Sequence, residues 1–177
     1  MELFLLLSAG VIINGVHGYL LWSQRHERKW SISVHAVKSR QTYILYVAGH
    51  MLAGGLFLLF AKRFFLERYN EPALFGLVCS TYFFEIVQAI LPSRGRYERP
   101  HTVAAYIMWF SFVSAGLLSL AILPVEFWAR AVATLVYIPL LAMLYKAHTD
   151  RNKFYYYQMT MVILFYVSMF FVVVGSK

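Results

Sequence analysis

Six apolar stretches of bilayer-crossing length fill most of this chain, and that limits its folds to two. In hydrocarbon a backbone must satisfy its own hydrogen bonds, so only helices or a closed barrel can span. The stretches are 3–22, 42–61, 73–91, 102–123, 127–145 and 155–175. Each is near the roughly 20 residues that cross about 30 Å at 1.5 Å per residue. A barrel needs short strands alternating apolar and polar residues, whereas these runs are continuously apolar. With 60% of residues hydrophobic and 14% charged, the chain has too little polar surface to cover a soluble globule. The sequence therefore predicts an all-α, polytopic membrane protein, a single six-helix transmembrane domain over residues 1–177. The first span is expected to remain as a helix, because Glu2 stands where a signal peptide is basic and the apolar run is too long. The lone cysteine, Cys79, excludes an internal disulfide and a cysteine-rich metal site.

Charge asymmetry predicts the orientation. The first, third and fifth connections carry Arg25, Arg28, Lys29, Lys38, Arg40, Arg94, Arg96, Arg99, Lys146, Arg151 and Lys153, against Lys62, Arg63, Arg68, Arg130 and Lys177 on the other side. Eleven basic residues against five put the odd connections in the cytoplasm and both termini on the non-cytoplasmic side. These loops adjoin spans and contain no nucleic-acid module, so they read as topology signals and not as nucleic-acid contacts. The expected partners are membrane lipids, including anionic inner-leaflet lipids, at about 1 kcal/mol per basic residue. A homo-oligomer or a larger membrane complex stays open.

Segment 25–40 mixes Trp30, Ile32, Val34 and Val37 with basic residues and suits a short interfacial helix or ordered loop. The other connections are brief, which predicts antiparallel neighbours in one bundle. Gly10, Gly15 and Gly18 in the first span and Gly49, Gly54 and Gly55 in the second would allow those two helices to pack closely. Arg130 is expected to snorkel to water, and Pro139 to kink the fifth span.

Polar residues inside apolar spans carry the functional information, since an ionisable group there costs roughly 2.5–3.5 kcal/mol even on insertion scales. His17 lies about 8 Å from the inner end of its span, His50 about 12 Å and Glu85 about 9 Å, counted at the helical rise. His101 opens the fourth span just after Pro100. Asn14 is three residues from His17, while Tyr82 and Gln88 flank Glu85 at the same spacing. These seven residues form a candidate ligand- or proton-binding set in which four helices would converge on an inner-half pocket.

Three chemistries fit such a set. Histidine and a carboxyl in a low-dielectric site can exchange protons near neutral pH, which suits transport or sensing. His17, His50, Glu85 and His101 could instead hold a divalent metal such as zinc, with an open position for hydrolysis of a lipid ester or amide. A b-type haem between His17 and His50 is the other cofactor these imidazoles could bind. Beside these stand a purely structural hydrogen-bonded clasp fixing helix register, and a structural subunit of a larger assembly.

The join 91–105 runs Leu91, Pro92, Ser93, Arg94, Gly95, Arg96, Tyr97, Glu98, Arg99, Pro100, His101, Thr102, Val103, Ala104, Ala105. A proline closing one helix, a short polar loop, then His and small residues opening the next resembles the DRAM-like six-helix membrane proteins and related bacterial families of unknown function. That resemblance implies an integral membrane protein without an established catalytic mechanism, with His101 as its motif position. Ceramidase-like membrane hydrolases, which gather histidines, an acid and a serine near one membrane face, are a second comparison. Here the acid is Glu85 in place of an aspartate, and the expected motif order is not evident.

Overall fold

The computed structural model describes residues 1–23, 31–91, 93, 95–150 and 153–176. Seven α-helices organise them: α1 Glu2–Ser23, α2 Ile32–Ala36, α3 Arg40–Ala61, α4 Pro72–Ile90, α5 Glu98–Ile122, α6 Phe127–Thr149 and α7 Phe154–Gly175. Among the described residues six helices, all but α2, are long and apolar enough to cross a membrane. The chain is thus helical with six candidate spans, as the apolar runs predict. Arg25, Arg28, Lys29, Trp30, Pro92, Arg94, Arg151 and Lys177, used above for topology, anchoring or resemblance, lie outside the described residues.

Local chemistry sets the helix ends. Ser39 caps α3 reciprocally, its Oγ accepting from the Thr42 amide at 3.1 Å while its own amide donates to Thr42 Oγ1 at 3.2 Å. Thr42 Oγ1 also donates to the Ala36 carbonyl at 2.7 Å, which fastens α2 to the start of α3. Of the segment 25–40, expected as a short helix or ordered loop, the described part forms the short helix α2, capped by Ser31. Helix α5 begins at Glu98, earlier than the expected 102, because Pro100 sits in the first turn, where a missing amide donor costs nothing.

Beyond Ala61, α3 continues without a break into a π-helical turn, Lys62–Arg68. The wider turn lets two consecutive residues, Phe64 and Phe65, both reach the core. They join Phe57 and Phe60 in a cluster of rings, with Phe60 stacked on Phe64 at 5.2 Å between centroids. Arg68 closes this end of the bundle, donating to Glu2 at 3.2 Å and to the Ser176 carbonyl at 3.4 Å.

The helices pack in the order α6, α7, α1, α3, α4, α5, so the chain neighbours α5 and α6 barely touch. This corrects the expectation that every consecutive pair packs together. The contact between α5 and α6 is local: Gly116 leaves the space that the Tyr137 hydroxyl enters, and Arg130 donates to the Leu123 carbonyl at 2.8 Å, satisfying the end of α5. Helix α6 runs through Pro139 on its exposed side. The expected glycine pairing of the first two spans holds at Gly49, where an added Cβ would lie 2.6 Å from Val16 of α1. Gly10 instead faces Tyr166 of α7, Gly54 faces Tyr82 of α4, and Gly15 faces open space.

The glycines give a direct test of the packing. A Cβ at Gly175 would sit 2.1 Å from the Cβ of Ala129, a position fixed by the α6 backbone. Gly175→Ala is therefore expected to destabilise the protein by about 1–3 kcal/mol. Gly15→Ala, entering open space in a helix interior, should be neutral or stabilising by up to about 1 kcal/mol. Thermal unfolding of both variants in detergent measures the contrast, and equal melting temperatures would contradict the α6–α7 packing.

Candidate functional site

Three helices bring three ionisable side chains into one chain of hydrogen bonds. His50 of α3 stands at its centre, with Nδ1 2.7 Å from Glu85 Oε1 of α4 and Nε2 3.3 Å from His17 Nε2 of α1. His17 and His50 are buried, and the Glu85 side chain keeps 16% of its surface accessible. Among the described residues His50 is the ion-pair partner of Glu85. The carboxylate end is thus partly open and the imidazole end sealed.

Packing fixes this geometry from several sides. Tyr46, one turn before His50 on α3, lays its ring edge-on against the imidazole at 4.3 Å. Its hydroxyl accepts from Gln88 Nε2 at 3.3 Å, which links α3 to α4 one turn from Glu85. Tyr155 of α7 donates its hydroxyl to the His17 carbonyl, while Gly49 allows α1 to approach α3 beside His17. An added Cβ at Gly54 would lie 2.4 Å from the Tyr82 ring and 3.1 Å from Glu85 Oε2. Glycine at 54 is therefore what lets Glu85 lie close to the α3 backbone that carries His50.

Proton positions follow from the donor and acceptor inventory. With Glu85 ionised and both imidazoles neutral, His50 Nδ1–H donates to the carboxylate, so His50 Nε2 accepts and His17 Nε2–H donates to it. His17 Nδ1 is then a lone pair, and it is buried with no partner among the described residues. A proton arriving there can be matched by transfer from His17 Nε2 to His50 Nε2 and from His50 Nδ1 to Glu85. Every heavy atom stays in place, and the carboxyl ends neutral.

The remaining candidates lie around this chain or away from it. Asn14 is one turn from His17 but turns its Nδ2 to the Gly10 carbonyl at 2.8 Å. Tyr82 directs its hydroxyl to the Met51 carbonyl at 3.4 Å, and Gln88 acts through Tyr46. His101 belongs to a second cluster, donating Nδ1–H to the Leu91 carbonyl at 2.8 Å and accepting at Nε2 from Ser33 Oγ at 3.0 Å. Three spans converge, not four, because the short α2 interposes Ser33 as the partner of His101. Ser33, Tyr46 and Tyr155 were not among the sequence candidates. Only Tyr46 carried a signal, four residues before His50 on the same face.

The donors present do not fit the cofactors considered from sequence. Zinc takes three or four ligands that meet at one point, and no such group of three exists among the described residues. Glu85 bonds the ring nitrogen of His50 that points away from His17, and His101 is engaged elsewhere. The facing nitrogens of His17 and His50 are at hydrogen-bond distance, which leaves no slot for a haem macrocycle. Comparison of the chain with protein families, with curated proteins and with solved structures finds no match in any of the three.

The two polar clusters are separable. Ser33→Ala strands the buried His101 Nε2, an expected loss of about 1–3 kcal/mol, without altering the His17 and His50 imidazole resonances in NMR spectra. Gly54→Ala should cost about 1–3 kcal/mol by overpacking and also shift the His50 resonances, since Tyr82 and Glu85 must move. Identical spectra for wild type and Gly54→Ala would contradict the close approach of Glu85 to α3.

Proposed function

We propose that this chain is an integral membrane protein that moves or senses a proton through Glu85, His50 and His17. The observation that carries the reading is the unbroken hydrogen-bonded path from a partly accessible carboxylate to a buried imidazole. Structural polar residues in membranes tend to end on a backbone carbonyl, as Thr81 and Ser119 do here. This path instead joins three titratable side chains in series, each able to give and take a proton. Tyr46 of α3, Tyr82 of α4, and Tyr155 and Tyr166 of α7 are the other titratable groups around it. On α2, His35 packs edge-on against the Tyr155 ring at 5.2 Å.

Orientation belongs to the same proposal. The excess of basic residues on the odd connections supports both termini on the non-cytoplasmic side, with the relay in the inner half. The His101 segment, similar to that of DRAM-like proteins, would then stand at the cytoplasmic end as a structural join between α2 and α5. Lipids and, at the inner face, anionic headgroups are the proposed surroundings.

Purified protein in liposomes under an imposed pH gradient tests the reading. Wild type should carry a proton flux above protein-free vesicles. Glu85→Gln and His50→Phe should lower it by at least about 10²-fold, the scale on which positioned acid–base groups act. Ser33→Ala should preserve it. Unchanged flux in Glu85→Gln and His50→Phe, with a reduced melting temperature, would show that the chain is only a clasp holding the helices.

A further inference from the structure

The relay ends on a ring nitrogen without a protein partner among the described residues. His17 is 97% buried by its 3% residual exposure, and its Nδ1 has no partner among them. One turn earlier on α1, Asn14 Oδ1 is also buried without a partner among the described residues. Residues at this spacing lie on the same helix face with Cβ atoms about 5–6 Å apart. Turning the Asn14 amide over does not help. Its Nδ2 sits 2.8 Å from the Gly10 carbonyl, and exchanging the two atoms would press oxygen against oxygen. With Glu85 ionised and both imidazoles neutral, proton counting along the relay makes His17 Nδ1 a lone pair. Two acceptors one helical turn apart are then left without a donor among the described residues, and a buried acceptor without a donor costs about 1–3 kcal/mol.

We propose that a compact N–H or O–H donor, an ammonium ion or a water molecule, binds between His17 Nδ1 and Asn14 Oδ1 and donates to both. Buried sites of this kind are commonly filled in this way, because one small molecule satisfies several groups at once. Ile13, the residue before Asn14, packs with Ala53 and Val162, and the Tyr166 ring packs against that cluster and over Gly10. With Glu85 ionised and both imidazoles neutral the relay carries a net negative charge in a low-dielectric region, which favours a cationic donor over a neutral one. The proton assignment rests on the relay reading, whereas the partnerless atoms stand independently of whether protons are transported.

The experiment uses full-length, ¹⁵N-histidine-labelled protein in nanodiscs titrated with ammonium chloride, and with tetramethylammonium chloride as a cation without donors. Proton flux is measured separately in ammonium-free liposomes. For an ammonium site, the His17 Nδ1 resonance shifts saturably with ammonium and not with tetramethylammonium, and the melting temperature rises with it. Both effects are lost in Asn14→Leu. For a water site, neither salt acts, but His17 Nδ1 shows hydrogen-bonded acceptor character and exchange contacts to water that Asn14→Leu removes. A His17 Nδ1 that titrates as a free lone pair, or that is bonded to protein, with no response to ammonium and no water contact, overturns the proposal. If flux persists with that result, the relay stands and only this site is lost. If flux is also absent, both readings fail.

Discussion

A carboxylate cannot be held in an apolar bundle without a partner, and the pairing of Glu85 with His50 determines much of the surrounding architecture. The 2.7 Å contact requires α3 and α4 to lie close, which they do only because position 54 is glycine. His50 in turn needs a partner for its second nitrogen, supplied by His17 across the α1–α3 contact at Gly49. Around these polar links the bundle is apolar: the rings of Phe57, Phe60, Phe64 and Phe65 fill one end, while residues such as Phe4, Val11, Phe110 and Ile138 are exposed on its outer surface. Between helices in lipid there is little hydrophobic driving force, so close packing at small residues and a few hydrogen bonds must specify the neighbours.

The two histidine clusters divide the labour. His101, tied to Ser33 and to the Leu91 carbonyl, joins the short α2 to the turn between α4 and α5. Its ring nitrogens are both occupied by groups that do not titrate, which suits a fixed joint. In the chain of His17 and His50, every side-chain partner can itself change protonation. The same residue type thus meets partners that do not titrate in one place and titratable partners in the other.

Helix number and approximate ends were legible in the sequence because length and hydropathy alone select spanning segments. Neighbour order was not. Spans apolar on all sides carry no stripe that marks the core face, so nothing in residues 102–145 reveals that α5 and α6 barely meet. The depth of His17, His50 and Glu85 could be counted from the span ends, and depth places them in one layer. Rotation about each helix axis decides contact, and the sequence only hinted at it through the glycines at 49 and 54. His101 stands toward the same ends of these helices yet turns to α2, a partner whose existence depends on the cap at Ser31 and the reciprocal cap between Ser39 and Thr42.

The central claim is that the imidazoles of His17 and His50 share a proton while Glu85 holds the far side of His50. The most direct measurement is the ¹⁵N–¹⁵N scalar coupling across that hydrogen bond in histidine-labelled protein, with resonances assigned by His17→Gln and His50→Gln. The account expects a resolved coupling between the two Nε2 nuclei, and an Nδ1–H on His50 that loses its strong hydrogen-bond signature when Glu85 is replaced by Leu. Two uncoupled imidazoles, each bonded to other groups or to none, would contradict it.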